Sequence, residues 1–170
     1  GSWRNNIEIP QFLKDENIEY KGNREKDESI NWNLVFSEFD QFTELLKQAG
    51  INVSREKYIE GDDWCWYWSR KLNAENTNCI IWSKDKDLTQ LSTEQTTVNI
   101  TRKGITDIEE YTPAHIQEKY GIKPLQIIDM KGLMGDSSDN IPGIPGVGEK
   151  TALKLLHQFG SLENVLESID

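Results

Sequence analysis

The stretch Gly132–Leu156, GLMGDSSDNIPGIPGVGEKTALKLL, decides how this chain is read. Two acids, Asp136 and Asp139, run straight into a loop carrying Gly143, Gly146 and Gly148, with Pro142 and Pro145 among them. Past Gly148 the pattern turns helical, and Lys150 and Lys154 fall a helical turn apart on one face. Exposed backbone N–H groups at a helix start favour an anion, and small residues let a phosphate approach closely. The loop therefore reads as a hairpin that grips a phosphate backbone without reading bases. Its final triplet, Gly148-Glu149-Lys150, lacks the GKS or GKT ending of a nucleotide-binding loop, which argues against ATP. The plain alternative is a turn between two helices.

Working outward, apolar residues at 34, 35, 39, 42, 45, 46 and 49 have the spacing of one helical face, with Gly50 as a stop. The runs INVS (51–54), CIIW (79–82) and TVNIT (97–101) are β-rich, and a helical stretch from about Asp63 to Leu72 lies between the first two. Strands alternating with helices imply an α/β fold with a mainly parallel sheet. After about residue 105 the strand signals stop. TPAHIQEKYG and KPLQIIDMKGLMG each place a proline at an expected first helical position, and the first closes on Gly121, so the chain should end all-helical. Residues 14–33 are highly charged with little apolar periodicity and read as a mobile or solvent-facing excursion between structured parts.

Three acidic clusters stand out: Glu60, Asp62 and Asp63 at a helix start, Asp85 and Asp87 just past the CIIW strand, and Asp136 with Asp139. Carboxyl ends of parallel strands open onto one crevice, so the first two clusters should converge there. Seven carboxylates in one cleft repel unless divalent cations sit between them. Hard oxygen ligands without nearby His or Cys suit Mg²⁺ or Mn²⁺ rather than zinc. Two such ions about 4 Å apart clamp the attacking and leaving oxygens of a phosphoryl displacement and activate water. The bland reading of each cluster is helix capping.

Composition sets the outer bounds. With 170 residues the chain is about one domain long, enough to bury a core. A formal net charge of −10 argues against a general nucleic-acid binder, unless much of it is local and neutralised by metal. Cys65 and Cys79 form no CxxC pair and suggest neither a disulfide framework nor a zinc site, so a reducing, intracellular setting is expected. No apolar run approaches the roughly 18 residues of a membrane span. The opening Gly1-Ser2 resembles an expression scar. Trp64, Trp66 and Trp68 read chiefly as core packing and secondarily as base-stacking platforms. His115 and His157 are not expected to be catalytic, and Asp107, Glu109 and Glu110 read as a solvated turn.

Taken together the motifs resemble the structure-specific 5′ nucleases: flap endonucleases, the 5′-nuclease domain of bacterial DNA polymerase I, and phage 5′ exonucleases and ribonuclease H. YIEGDD (58–63) looks like the family's Glu-Ala-Asp-Asp motif and SKDKD (83–87) like its Ser-x-Asp-x-Asp motif. The Gly132–Leu156 stretch is similar to its Gly-Asp-x-x-Asp-Asn motif with the helix-hairpin-helix that follows. EYKGNR (19–24) resembles the base of the helical arch; Trp3-Arg4 with ESINWN (28–33) looks most like the phage ribonuclease H branch, while the intact hairpin looks more like the bacterial polymerase and exonuclease branches.

The resemblance implies a PIN-like core over 1–128, an arch-like segment at 14–33 and a DNA-binding helix-hairpin-helix over 129–170. It implies two Mg²⁺ (or Mn²⁺) ions on Glu60, Asp62, Asp63, Asp85, Asp87, Asp136 and Asp139. Lys21 and Arg24 would act at the scissile phosphate, and Gly143, Gly146, Gly148, Lys150 and Lys154 would hold DNA. The implied activity is 5′–3′ exonuclease or flap-endonuclease cleavage of branched DNA or RNA–DNA duplexes, as in primer removal. A monomer in the cytoplasm is implied, the host's if phage-encoded, with a single-strand-binding or clamp protein as a further partner. Family members carry two further metal-binding aspartates before the point where this sequence begins. A fragment that binds duplex–single-strand junctions without cutting is accordingly the alternative.

Overall fold

The computed structural model describes residues 3–16, 18–25 and 27–169; Gly1-Ser2, residues 17 and 26 of the charged segment, and residue 170 lie outside them. The chain divides into two compact units, Gly1–Ile59 and Glu60–Asp170.

In the first unit, α1 (Gln11–Asp15) precedes α2 (Trp32–Gln48). The Asn31 side chain caps α2 by accepting from the Leu34 N–H at 3.2 Å. Gly50 follows its end with φ 78°, as the spacing predicts. The apolar face is laid open: Phe39, Phe42 and Leu45 are all more than half exposed, and Thr43 is the buried residue of the helix. The expected strand over 51–54 does not form. A β-prone run becomes a strand only where a neighbour completes its ladder, and 51–54 pairs with none among the described residues. The described residues of 14–33 are mostly exposed, with turns between the end of α1 and the start of α2, in line with the sequence.

The second unit holds α3 (Gly61–Ala74), β1 (Cys79–Ser83), β2 (Thr96–Lys103) and β3 (Asp107–Tyr111). After them come α4 (Pro113–Tyr120), α5 (Gln126–Met134), α6 (Glu149–Phe159) and α7 (Leu162–Glu167). The sheet order is β1-β2-β3. β1 and β2 run parallel, from Cys79 opposite Thr96 to Ser83 opposite Ile100, and β3 lies antiparallel to β2.

β3 corrects the expected end of strand signal near residue 105 and the reading of 107–110 as a solvated turn. The strand is rich in acids, which β-propensity disfavours, but Glu109 is no solvent charge. Its side chain is only 12% exposed and is met by Arg102 at 2.6 Å, Lys119 at 2.5 Å and His115 at 3.2 Å. Tertiary ion pairing overrides the local preference.

Thr112 caps α4 by accepting from the His115 N–H at 3.2 Å, Pro113 takes the first helical position, and Gly121 closes the helix at φ 71°. Pro124, expected in the same role, instead lies in a turn two residues before α5, where its carbonyl accepts from the Ile127 N–H at 3.1 Å. Val98 and Ile100 of β2, Tyr111 of β3, Ile116 of α4, Leu133 of α5 and Leu156 of α6 are all buried in one core. Sheet and helical end are thus bound by a common apolar cluster, each large side chain contributing about 1.5–3 kcal/mol.

Candidate metal and phosphate site

β1 ends at Ser83, and the chain at once enters a 3-10 turn over Lys86–Leu91. Asp85 caps that turn, its carboxylate accepting from the Asp87 N–H at 2.9 Å. Leu88, Thr89 and Leu91 are buried and anchor it. This fixes the backbone of Asp87 just past the carboxyl end of a parallel strand, where ligands of such sheets bind.

The second contribution comes from α5 and the loop after it. Gly135 ends the helix at φ 75°, and Asp136 then pairs both ways with Ile141, N–H to O and O to N–H, each at 2.8 Å. That bridge closes the loop 136–141. Asp136 accepts through Oδ1 from the Ser138 N–H at 2.9 Å and from Ser138 Oγ at 2.6 Å. Through Oδ2 it meets Lys131 Nζ at 2.8 Å, and the same nitrogen stands 2.8 Å from Asp87 Oδ1. One ammonium therefore lies between two carboxylates brought from separate parts of the chain.

The electrostatics of the two acids differ. Burial pushes the Asp87 pKa up; Lys131 opposes this, while the charges of Asp85 and Asp136 add to it. Burial also works against the charged form of Asp136, but hydrogen bonds from Lys131 and Ser138 outweigh it and hold the carboxyl well below the usual carboxylate range. Burial disfavours the charge on Lys131, yet its two acidic partners leave its pKa raised.

The second and third acidic clusters are thus brought together at Asp85, Asp87 and Asp136, with Asp139 in the same 136–141 loop. The first cluster has a local occupation. Glu60 and Asp63 form a reciprocal capping box at the start of α3, in which Asp63 Oδ2 accepts from the Glu60 N–H at 2.9 Å. Asp62 lies in the same first turn; burial pushes the Cys65 thiol up and the Asp62 charge adds to it. Among the described residues, no three His, Cys, Asp or Glu side chains are gathered closely enough to hold an ion.

Lys131 is the residue that sequence reasoning missed. A signal was present: a lysine on the helix that runs directly into Asp136, inside KGLMGD.

In the hairpin, Gly148 caps α6, and a Cβ there or at Gly146 would meet nothing within 4 Å. Gly143 differs, because a Cβ there would lie 2.2 Å from the Met134 carbonyl carbon. Lys150 and Lys154 are exposed along α6, as the spacing predicts. In the first unit, Lys21 adopts φ 56° in a turn, its Nζ 4.6 Å over the Tyr20 ring, and its carbonyl accepts from the Arg24 N–H at 3.1 Å.

The tryptophans divide. Trp64 and Trp68 are half-buried, whereas Trp66 is 54% exposed, which corrects its reading as core. On a helix two residues advance about 200°, so Trp64 and Trp68 share a face and Trp66 points the other way. Cys65 and Cys79 are free thiols. His157 Nε2 hydrogen-bonds the Tyr120 carbonyl at 2.9 Å, away from the acids.

Comparison with known proteins bears on the same regions. Residues 6–121 match the model of the 5′–3′ exonuclease N-terminal resolvase-like domain, and residues 122–170 match that of the 5′–3′ exonuclease C-terminal SAM fold. DNA polymerase I of Bacillus subtilis is 54% identical over 153 residues, which is 89% of this chain and 17% of the polymerase. DNA polymerase I of Bacillus caldotenax is 49% identical over 152 residues, with the same shares. The chain thus spans about a sixth of the length of these curated relatives. Among solved structures, T5 5′-exonuclease with bound divalent metal ions (zinc) superposes with a TM-score of 0.75 at 24% identity, over 92% of this chain and 59% of that one. The catalytic core of Rad2 in complex with DNA substrate gives 0.57 at 20% identity, over 91% and 43%. At these identities the two structures speak for the fold.

Proposed function

The chain belongs to the 5′–3′ exonuclease family, and from that premise we propose that it serves as a divalent-metal-dependent 5′ nuclease. The proposed reaction is hydrolysis of phosphodiester bonds at or near the 5′ end of branched DNA or RNA–DNA duplexes, in replication or repair. The observation that carries this reading is the meeting of Asp87 and Asp136 on one cationic atom just past the end of β1.

The donor set suits the metal. Both atoms that face the shared cation are carboxylate oxygens, the hard ligands that Mg²⁺ and Mn²⁺ prefer. Asp87 and Asp136 would hold an ion there, with Asp85 and Asp139 beside them and Glu60, Asp62 and Asp63 as the candidates for a second ion. Such an ion, when bound, polarises the phosphoryl group and the attacking water. The chain's own residues then do the rest. The amides at the start of α6, with Lys150 and Lys154, hold the duplex backbone in place. Lys21 and Arg24 offset the charge that develops on the phosphate. Hydrogen bonds from Lys131 and Ser138 favour the ionised form of Asp136, the form able to ligate a cation.

A second reading has an observation of its own. Glu60 and Asp63 are engaged in the α3 cap, which favours a module that binds duplex–single-strand junctions without cutting. The two readings part on one experiment, cleavage and gel-shift of a 5′-labelled flap substrate in Mg²⁺ and in chelator. The nuclease reading expects Mg²⁺-dependent products that disappear in Asp85→Asn/Asp87→Asn while the shift persists. A shift without products at any Mg²⁺ or Mn²⁺ concentration supports the binding module.

Among the described residues no helix is long and apolar enough to cross a membrane. A monomer acting in the cytoplasm, with a single-strand-binding or clamp protein as partner, belongs to the same proposal.

A further inference from the structure

We infer that Lys131 is a tethered counter-cation: its ammonium fills the position between Asp87 and Asp136 that a divalent ion has to take, so metal binding at this pair is an exchange in which the lysine leaves. The inference rests on the reading of this pair as a metal site.

Lys131 Nζ is 2.8 Å from Asp87 Oδ1 and 2.8 Å from Asp136 Oδ2, while Asp136 Oδ1 is committed to Ser138. An ion binding both acids draws on the same lone pairs, and its double charge repels an ammonium held against them. The backbone has no freedom to yield, because neighbouring Met130 and Leu133 are sunk in the core and the Asp136–Ile141 bridge closes the following loop. The lysine side chain does have that freedom. It is one-third exposed, and its flexible four-carbon stem can swing the ammonium into water.

Two consequences follow from one contact. Without metal, Lys131 screens two acids that would otherwise face each other unneutralised. With metal, the cost of parting it from both acids is subtracted from the affinity, which moves the response to higher metal concentration.

The test is calorimetric titration of Mn²⁺ into the 170-residue chain, its Lys131→Met variant and a Lys86→Met control. Methionine keeps the apolar stem and removes the charge. Lys86, at the start of the neighbouring 3-10 turn, is exposed, and its loss changes local charge without opening the gap. Lys131→Met should bind Mn²⁺ roughly tenfold tighter than the parent, and Lys86→Met less than about twofold tighter. In chelator, Lys131→Met should melt below the parent, and saturating Mn²⁺ should abolish the gap. Should the methionine variant fail to fold, Lys131→Gln serves in its place. Equal or weaker Mn²⁺ binding by the variant, with the parent binding normally, overturns the counter-cation and leaves the metal site standing. Binding by neither overturns both.

Discussion

Gly135 and Gly143 lie back to back: a Cβ built on Gly135 would stand 2.3 Å from the Gly143 nitrogen. A Cβ on Gly143 would stand 2.4 Å from the Gly135 nitrogen. These are backbone atoms on both sides, so no side chain can step aside. The close approach seats the loop carrying Asp136 against the end of α5. Gly143→Ala should therefore destabilise the chain by about 1–3 kcal/mol, the range for forced overpacking. Gly148→Ala, with open space around its Cβ, should cost less, about 0.5–1 kcal/mol for the weaker helix cap that alanine makes. Thermal melts of the two variants check this directly, and equal losses would refute the distinction.

Asp136→Asn should leave far-ultraviolet circular dichroism unchanged and lower Mg²⁺-dependent cleavage of a flap substrate by about 10²-fold or more, comparable to removing a preorganised electrostatic partner. It should also weaken Mn²⁺ binding, which separates loss of a ligand from loss of fold. A variant that cuts at the parent rate removes Asp136 from the site.

Lys150 is exposed on the first turn of α6. If it contacts a phosphate, Lys150→Ala should weaken duplex binding alike for all sequences and reduce the slope of log affinity against log salt by roughly 1. Fluorescence anisotropy at several salt concentrations measures both quantities. An unchanged slope would take Lys150 out of the DNA contact.

Glu109 gives the clearest pH dependence away from the proposed site. Burial works against its charge, but hydrogen bonds from Lys119, Arg102 and His115 hold its pKa well below the usual carboxylate range. Because the folded value lies below the unfolded one, the cluster contributes in full above about pH 5. That contribution is lost as pH falls through the folded value. Glu109→Gln should cost roughly 1–3 kcal/mol near neutral pH, as for a lost charged hydrogen-bonding partner. Its denaturation midpoint should then converge on the parent's in acid. Parallel curves from pH 7 down to pH 3 would show that the ionised form carries no special weight.

Much of the fold is legible in the sequence. The 3.6-residue spacing of apolar positions marked α2, the β-branched runs marked β1 and β2, and Pro113 and Gly121 bracketed α4. These are local signals, and local physics settles them. What escaped was set by partners distant in the chain. β3 was hidden because its acids look solvated until Arg102 and Lys119 are placed around Glu109. The 51–54 run looked like a strand because propensity says nothing about whether a neighbour is there. Within the candidate site, Asp85, Asp87 and Asp136 were named from motif and strand end, whereas the role of Glu60 and Asp63 as a capping pair competed with the metal reading from the start. Lys131 went unread because its two contacts belong to different elements, and no spacing rule joins residue 87 to residue 131.

Gly121 closes α4 in the left-handed region, and a Cβ there would lie 2.5 Å from His157 Nε2, the atom that hydrogen-bonds the carbonyl of Tyr120. Residue 121 is also where one family model ends and the other begins at 122. The seam between the sheet-bearing region and the helical end is therefore keyed, with a histidine from α6 as the key and the missing side chain of Gly121 as the slot. Chimaeras that swap the two regions between relatives at this junction should lose stability when they set a side chain at position 121 against a histidine at position 157, and keep it when the glycine is retained.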